Sequence, residues 1–545
     1  MVGRSRVRRR VRDDAPAAQG PVAPRARGRV RGLPRRVRGG VRRRCRLGRP
    51  ARRRRPRRAP AAGAAPGPRR RQVTGRVPRR ACPRRDPAVR GRGVDDGAGA
   101  HDRRRRGRVV RRRGRQGTVS TTTAIESVHA REVWDSRGRP TVEVEVTLSG
   151  GTTGRAIAPA GASRGSGEAV DLRDGGSRLG GFGVRAAVAH VETTLGPALH
   201  HADAAEQAYV DATLVDADAT PDKSRLGGNA LVATSMAVAH AAAAAAGVPL
   251  WMWLRGDTGD VRLPMPEVQV IGGGAHAHRR VDLQDFMVVP RGAATVAQAL
   301  EWVAECYAAT GAVLSDRSGR VTHGVADEGG HWPDVGGNEA AIEALTRGIE
   351  RAGFEPGREV SIALDVAASE FGGGGRYRLA ADDVELDADA WCERLLGWVD
   401  TYPVSSVEDP LAEDDLDTFA AFTRAVGDRV QVVGDDLTVT NAARVDAAAA
   451  AGTANALLVK PNQVGTLTEA RAAFDAARRA GWETIVSARS GETEDVTIVH
   501  LAVGWGGDQL KVGSITRGER TAKWNELLRI EDRLGAAATL QHPRR

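Results

Sequence analysis

The chain has 545 residues and a formal charge of +15 at pH 7, but no single part carries that charge. Residues 1–118 hold 43 of the 82 basic side chains, all arginine, and 6 of the 67 acidic ones; the rest is left with 39 basic against 61 acidic, a net of −22. No run is apolar for long enough to cross a bilayer, no apolar segment follows an arginine pair as a twin-arginine signal requires, and Cys45, Cys82, Cys306 and Cys392 form no close pair. Nothing in their spacing suggests a metal knuckle or redox motif, and a reducing, cytoplasmic compartment fits.

In the first 118 residues, arginine clusters such as residues 52–55 alternate with Ala, Gly and Pro, with no aromatic residue. Such a segment cannot bury a core and is expected to be disordered. It is either a basic arm for nucleic acid or another anionic surface, or not native protein at all. Val119 opens Val119-Ser120-Thr121-Thr122-Thr123, and a valine codon can initiate translation in bacteria, so the abrupt change of composition favours a start at residue 119.

From about residue 124 the sequence becomes globular, and its length predicts two domains, 119–258 and 259–545. Alternation over residues 141–146 predicts a strand with one wet face, and Ala-rich helical stretches follow, including residues 229–246 before Gly247-Val248-Pro249. This part is expected to be a smaller α+β capping domain. After Pro264, short apolar strands at 360–364, 430–433 and 483–486 alternate with helices. That pattern predicts an α/β fold, a parallel, TIM-barrel-like β/α barrel.

The strands end in residues that chemistry needs: Asp365, Glu408, Asp435, Lys460, and Arg489 with Ser490. The carboxyl ends of barrel strands converge on one mouth, so residues far apart in sequence can meet there. For one acid alone, a helix N-cap or a surface position is an equal explanation. Three in successive units point instead to a hard cation, hence Mg²⁺. Lysine occurs only at Lys223, Lys460, Lys511 and Lys523. Unlike arginine it can lose its proton and act as a base, and Lys460 beside a metal suits proton abstraction next to a carboxylate.

With these features, Gly161-Ala162-Ser163, Asp327-Glu328-Gly329-Gly330, Glu408-Asp409-Pro410, Gly434-Asp435-Asp436-Leu437, Lys460-Pro461-Asn462-Gln463 and residues 130–138, 281–287 and 490–495 occur in order. The chain from about Ile125 to Leu534 resembles enolase, as a divergent bacterial member. The resemblance implies a phosphopyruvate hydratase, a carbon–oxygen lyase that dehydrates 2-phosphoglycerate to phosphoenolpyruvate in glycolysis, as a cytoplasmic homodimer with two Mg²⁺ ions. It implies that Asp365, Glu408 and Asp435 hold the first ion and Ser163 helps hold the second. Lys460 would take the C2 proton and Glu328 would protonate the leaving hydroxyl. Lys511 would hold the substrate carboxylate and Arg489 with Ser490 the phosphate, while His276, Gln284 and Asp285 line the pocket. A paralogue acting on another phosphorylated hydroxy acid, and a nucleic-acid-binding protein using the basic arm, are the competing expectations.

Several positions depart from that pattern. Asp285 stands where glutamate is usual, withdrawing a carboxylate by about an ångström, which can cost on the order of 10²-fold in rate. Ala488 replaces a histidine, Gly272 an asparagine, and Ala160 and Arg164 small hydroxyl residues, the last three in loops that close over substrate.

Overall fold

The computed structural model describes residues 122–162, 164–256, 259–319 and 324–543. The Arg-rich segment, the expected boundary at Val119 and the candidate ligand Ser163 lie outside the described residues.

The alternating residues 141–146 lie in the middle strand of an antiparallel meander, β1 (Ile125–Trp134), β2 (Pro140–Leu148) and β3 (Thr153–Ile157). Val142, Val144 and Val146 are fully buried on one face. On the other face Glu143 pairs with Arg131 and Arg155, and Glu145 with Arg131. Helix α1 (Gly228–Ala245) packs so tightly on this sheet that a Cβ at Gly154 would lie 2.1 Å from the Ala241 nitrogen. Glycine on the strand and alanine on the helix permit that approach. By length and composition α1 is, contrary to expectation, a run that could span a bilayer, but 83% of it is buried inside the protein. A helix apolar all round is here a core helix.

Eight strands close a barrel in chain order: β4 (Met265–Gly272), β5 (Asp285–Val289), β6 (Ser361–Asp365), β7 (Val404–Glu408), β8 (Gln431–Gly434), β9 (Ala456–Val459), β10 (Glu483–Ser487) and β11 (Gln509–Ser514). The expectation of an all-parallel barrel needs one correction, because β5 runs antiparallel to both neighbours. A parallel return needs a crossover, usually an α-helix, whereas residues 273–284 hold only one 3₁₀ turn, Gly274–Ala277. The start of β5 therefore lies where the other strands end, with Asp285 in register with both Gly272 and Asp365.

Two of the four lysines tie the structure together. Lys223 donates to Glu469 at 2.8 Å, joining the N-terminal part to a barrel helix, Leu467–Arg479. Lys523 is buried against Glu492 at 2.9 Å and the Thr493 and Glu519 carbonyls.

Candidate active site

Six strands deliver polar side chains to one end of the barrel. Asp365 and Glu408 close β6 and β7, Asp435, Lys460 and Arg489-Ser490 follow β8, β9 and β10, and Lys511 sits third in β11. All are buried. One narrow polar cavity is lined by nine of the eleven described residues singled out in the sequence. The other two, Glu408 and Asp435, are bonded to the lining residues Lys511 and Lys460.

The two lysines hold the three acids in two groups. Lys511 Nζ donates to Asp365 Oδ2 at 2.8 Å and Glu408 Oε2 at 2.6 Å, and Lys460 Nζ to Asp435 Oδ2 at 2.5 Å. Gln284 adds a bond to Asp365 and Gln463 one to Asp435. Burial disfavours both ammonium groups, yet the carboxylates outweigh it: Asp435 raises Lys460, and Asp365 with Glu408 lifts Lys511 well above the usual lysine range. Without a metal, Asp435 favours the protonated form of Lys460. Glu408 moves the same way for a different reason, pushed far up by burial and by the Asp365 charge despite Lys511.

These donors fit a hard divalent cation. They are oxygens of buried carboxylates, and Glu408 Oε1 has no hydrogen-bond partner, a cost that a bound cation would relieve. Among the described residues, a carboxylate group other than the expected trio has ligand atoms within 4.8 Å of one another: Asp409, Asp435 and Asp436. Asp409 is engaged, accepting the backbone N–H groups of Asp435 at 3.0 Å and Asp436 at 2.7 Å. Its role is to fix the turn that carries Asp435.

Across the cavity, His276 Nδ1 lies 3.0 Å from Asp285 Oδ1 and Nε2 lies 3.8 Å from Glu328 Oε1. Burial works against the imidazolium, but Asp285 and Glu328 raise it to about 9. Burial would raise Asp285, yet His276 holds it below the ordinary range, while burial keeps Glu328 above its own. His276 is thus paired with Asp285, while burial biases Glu328 toward its neutral form. Ala488 lines the same cavity.

At the arginine end of the cavity, Arg489 donates to Glu168 at 3.0 and 3.3 Å and to Asn462 at 3.1 Å, and Arg137 donates to Ser490 Oγ at 3.2 Å. Residues 260–543 match the family model described as Enolase, C-terminal TIM barrel domain, and residues 125–254 match Enolase, N-terminal domain. The chain belongs to the enolase family.

Reading the sequence as an enolase left four buried residues of this site without a role. Asp409 and Gln463 stand inside motifs that were assigned through their neighbours. Glu168 lies five residues beyond Ser163 in the same loop, with no spacing signal to link it to Arg489. Gln269 sits in the middle of β4 between Val268 and Val270, where nothing marks it as more than a strand residue.

Proposed function

We propose that this enolase-family lyase is a phosphopyruvate hydratase, with an α+β cap (119–258) and a barrel (259–545) that together dehydrate 2-phosphoglycerate. The observation that carries this reading is one cavity lined both by an amine at a strand end, Lys460, and by a buried carboxyl, Glu328, that burial biases toward its neutral form. An elimination needs that division between a base for the carbon-bound proton and an acid for the departing hydroxyl.

Lys460 accepts the C2 proton, and its extended backbone, fixed at φ −127° and ψ 100° ahead of Pro461, aims it from the strand end. Glu328 gives its proton to the C3 hydroxyl so that water leaves rather than hydroxide. Lys511 holds the substrate carboxylate, and Arg489 with Ser490 holds the phosphate, Glu168 and Asn462 keeping the guanidinium in place. Asp365, Glu408 and Asp435 would hold one Mg²⁺ ion and Ser163 would contribute to a second. Bound there, the metal supplies positive charge against the substrate carboxylate and weakens the hold of Asp435 on the Lys460 proton.

The test is turnover of 2-phosphoglycerate, followed by absorbance of the enol product, with and without chelator. Mg²⁺-dependent turnover is the expected result. No turnover at saturating Mg²⁺ would exclude this substrate and favour another phosphorylated hydroxy acid.

A further inference from the structure

Two departures from the family pattern, Gly272 and Asp285, lie against one buried side chain, Gln269. Gln269 is fully buried in β4. Its Nε2 donates to Asp285 Oδ1 at 2.5 Å, and its Oε1 accepts the Gly330 N–H at 2.8 Å. The amide can face only one way, because the Gly330 N–H demands the oxygen and leaves the NH₂ for the carboxylate. One side chain therefore joins three parts of the site: strand β4, the Asp285 carboxylate, and the turn that carries Glu328 two residues before Gly330.

Glycine flanks that amide on both sides, the closer approach being at Gly330. A Cβ at Gly330 would lie 2.5 Å from Gln269 Oε1, and one at Gly272 would lie 3.3 Å from Gln269 Nε2 and 2.4 Å from the Ala326 Cβ. A side chain at position 272, asparagine included, would crowd the pocket that Gln269 fills. Asp285, one methylene shorter than glutamate, ends where the amide begins.

We propose that Gln269 is a positioning residue for the acid pair: its amide holds Asp285 and the Glu328 turn in one register, with Gly272 making the room and the shorter Asp285 completing the fit. The inference rests on the proposed dehydration, in which Glu328 is the acid and His276 lies between it and Asp285, 3.8 Å from one and 3.0 Å from the other. It reverses the sequence-based expectation that Asp285 costs rate. A glutamate at 285 would press its carboxylate into the Gln269 amide by about an ångström, and such a misplacement costs on the order of 10²-fold.

The test uses the full chain and four variants: Gln269→Leu, Gln269→Asn, Asp285→Glu, and the double variant Asp285→Glu/Gln269→Asn. Three readouts apply to each: steady-state kinetics with 2-phosphoglycerate and Mg²⁺, thermal unfolding, and the His276 imidazole titration by NMR without substrate. Gln269→Leu is expected to lower kcat by about 10- to 100-fold with KM within about threefold, and to move the His276 midpoint down toward the ordinary imidazole range. Gln269→Asn falls between Gln269→Leu and wild type. Asp285→Glu alone is slower than wild type, and the double variant is faster than Asp285→Glu because the shorter amide returns the missing space. Wild-type kcat and an unmoved His276 midpoint in Gln269→Leu overturn the proposal, as does an Asp285→Glu variant faster than wild type. If the wild-type protein does not turn over 2-phosphoglycerate, the functional reading fails, and the NMR titration alone then decides the role of Gln269.

Discussion

The two ends of the barrel bury polar side chains in opposite ways. At the floor, Gln431 donates to Glu483 at 2.7 Å and to Gln509 at 2.5 Å, and Gln509 donates to Glu267 at 2.8 Å. Ser361 and Ser405 share a bond of 2.7 Å. These residues lie at or near the starts of their strands, and amides bridge the carboxylates. At the mouth, ammonium groups hold the carboxylates, and the buried oxygens Gln284 Oε1 and Glu408 Oε1 have no hydrogen-bond partner. A satisfied polar layer holds a barrel closed; an unsatisfied one keeps binding capacity in reserve for what enters.

The largest expected effect belongs to the mouth. Lys460→Ala should lower kcat for 2-phosphoglycerate by about 10²- to 10⁴-fold, with folding verified by circular dichroism; a loss below tenfold would erase the contrast between the two ends. At the floor, burial raises the Glu267 carboxyl to about 7, against the opposing pull of Lys511. The native protein therefore holds a proton that the unfolded chain releases above about pH 4.5. This group's contribution to stability is full below that pH and lost as pH rises to about 7. Glu267→Gln keeps an acceptor for Gln509 and removes the titration. It should gain on the order of 3 kcal/mol of stability at pH 8 and almost nothing at pH 4.5, read from denaturant unfolding at the two pH values.

Gln431→Leu should show the reverse of the mouth variant. It strands Glu483 and Gln509 and costs about 1–3 kcal/mol of stability, with kcat within about twofold of wild type; a large kcat loss without destabilisation would mean that the floor also serves the chemistry. The smallest effect lies outside both layers. His500, buried beside His240 between α1 and helix Thr497–Trp505, is lowered to about 4 by burial and by its neighbour. The unfolded chain takes up the proton first, so stability falls as pH drops below about 6.5, by about 1 kcal/mol between pH 6.5 and 5.5. His500→Gln should flatten that slope in thermal unfolding.

Much of this architecture was legible from strand ends. Asp365, Asp435, Lys460 and Arg489 follow short, largely apolar stretches and Glu408 the stretch Val404-Ser405-Ser406-Val407, and a closed barrel brings such positions to one rim whatever their separation in sequence. The reversed β5 was not legible, because its apolar run of four residues, Phe286 to Val289, is the same in either direction. Gln269 was hidden by its apolar flanks, and Glu168 by distance, since its ion pair with Arg489 spans 321 residues. The scarcity of lysine was a partial guide: Lys460 and Lys511 face the cavity, but Lys223 and Lys523 are fasteners.

The reversed strand gives this site an unusual vulnerability. Surface connections normally absorb an added or deleted residue at little cost. Between Gly273 and Gln284 such a change would slide β5 by one position, and a slip of one residue turns every side chain on a strand to the opposite face. Asp285 would then point into the wall of outer helices and Phe286 into the cavity. The length of this short link, as much as the identity of any residue in it, is under constraint.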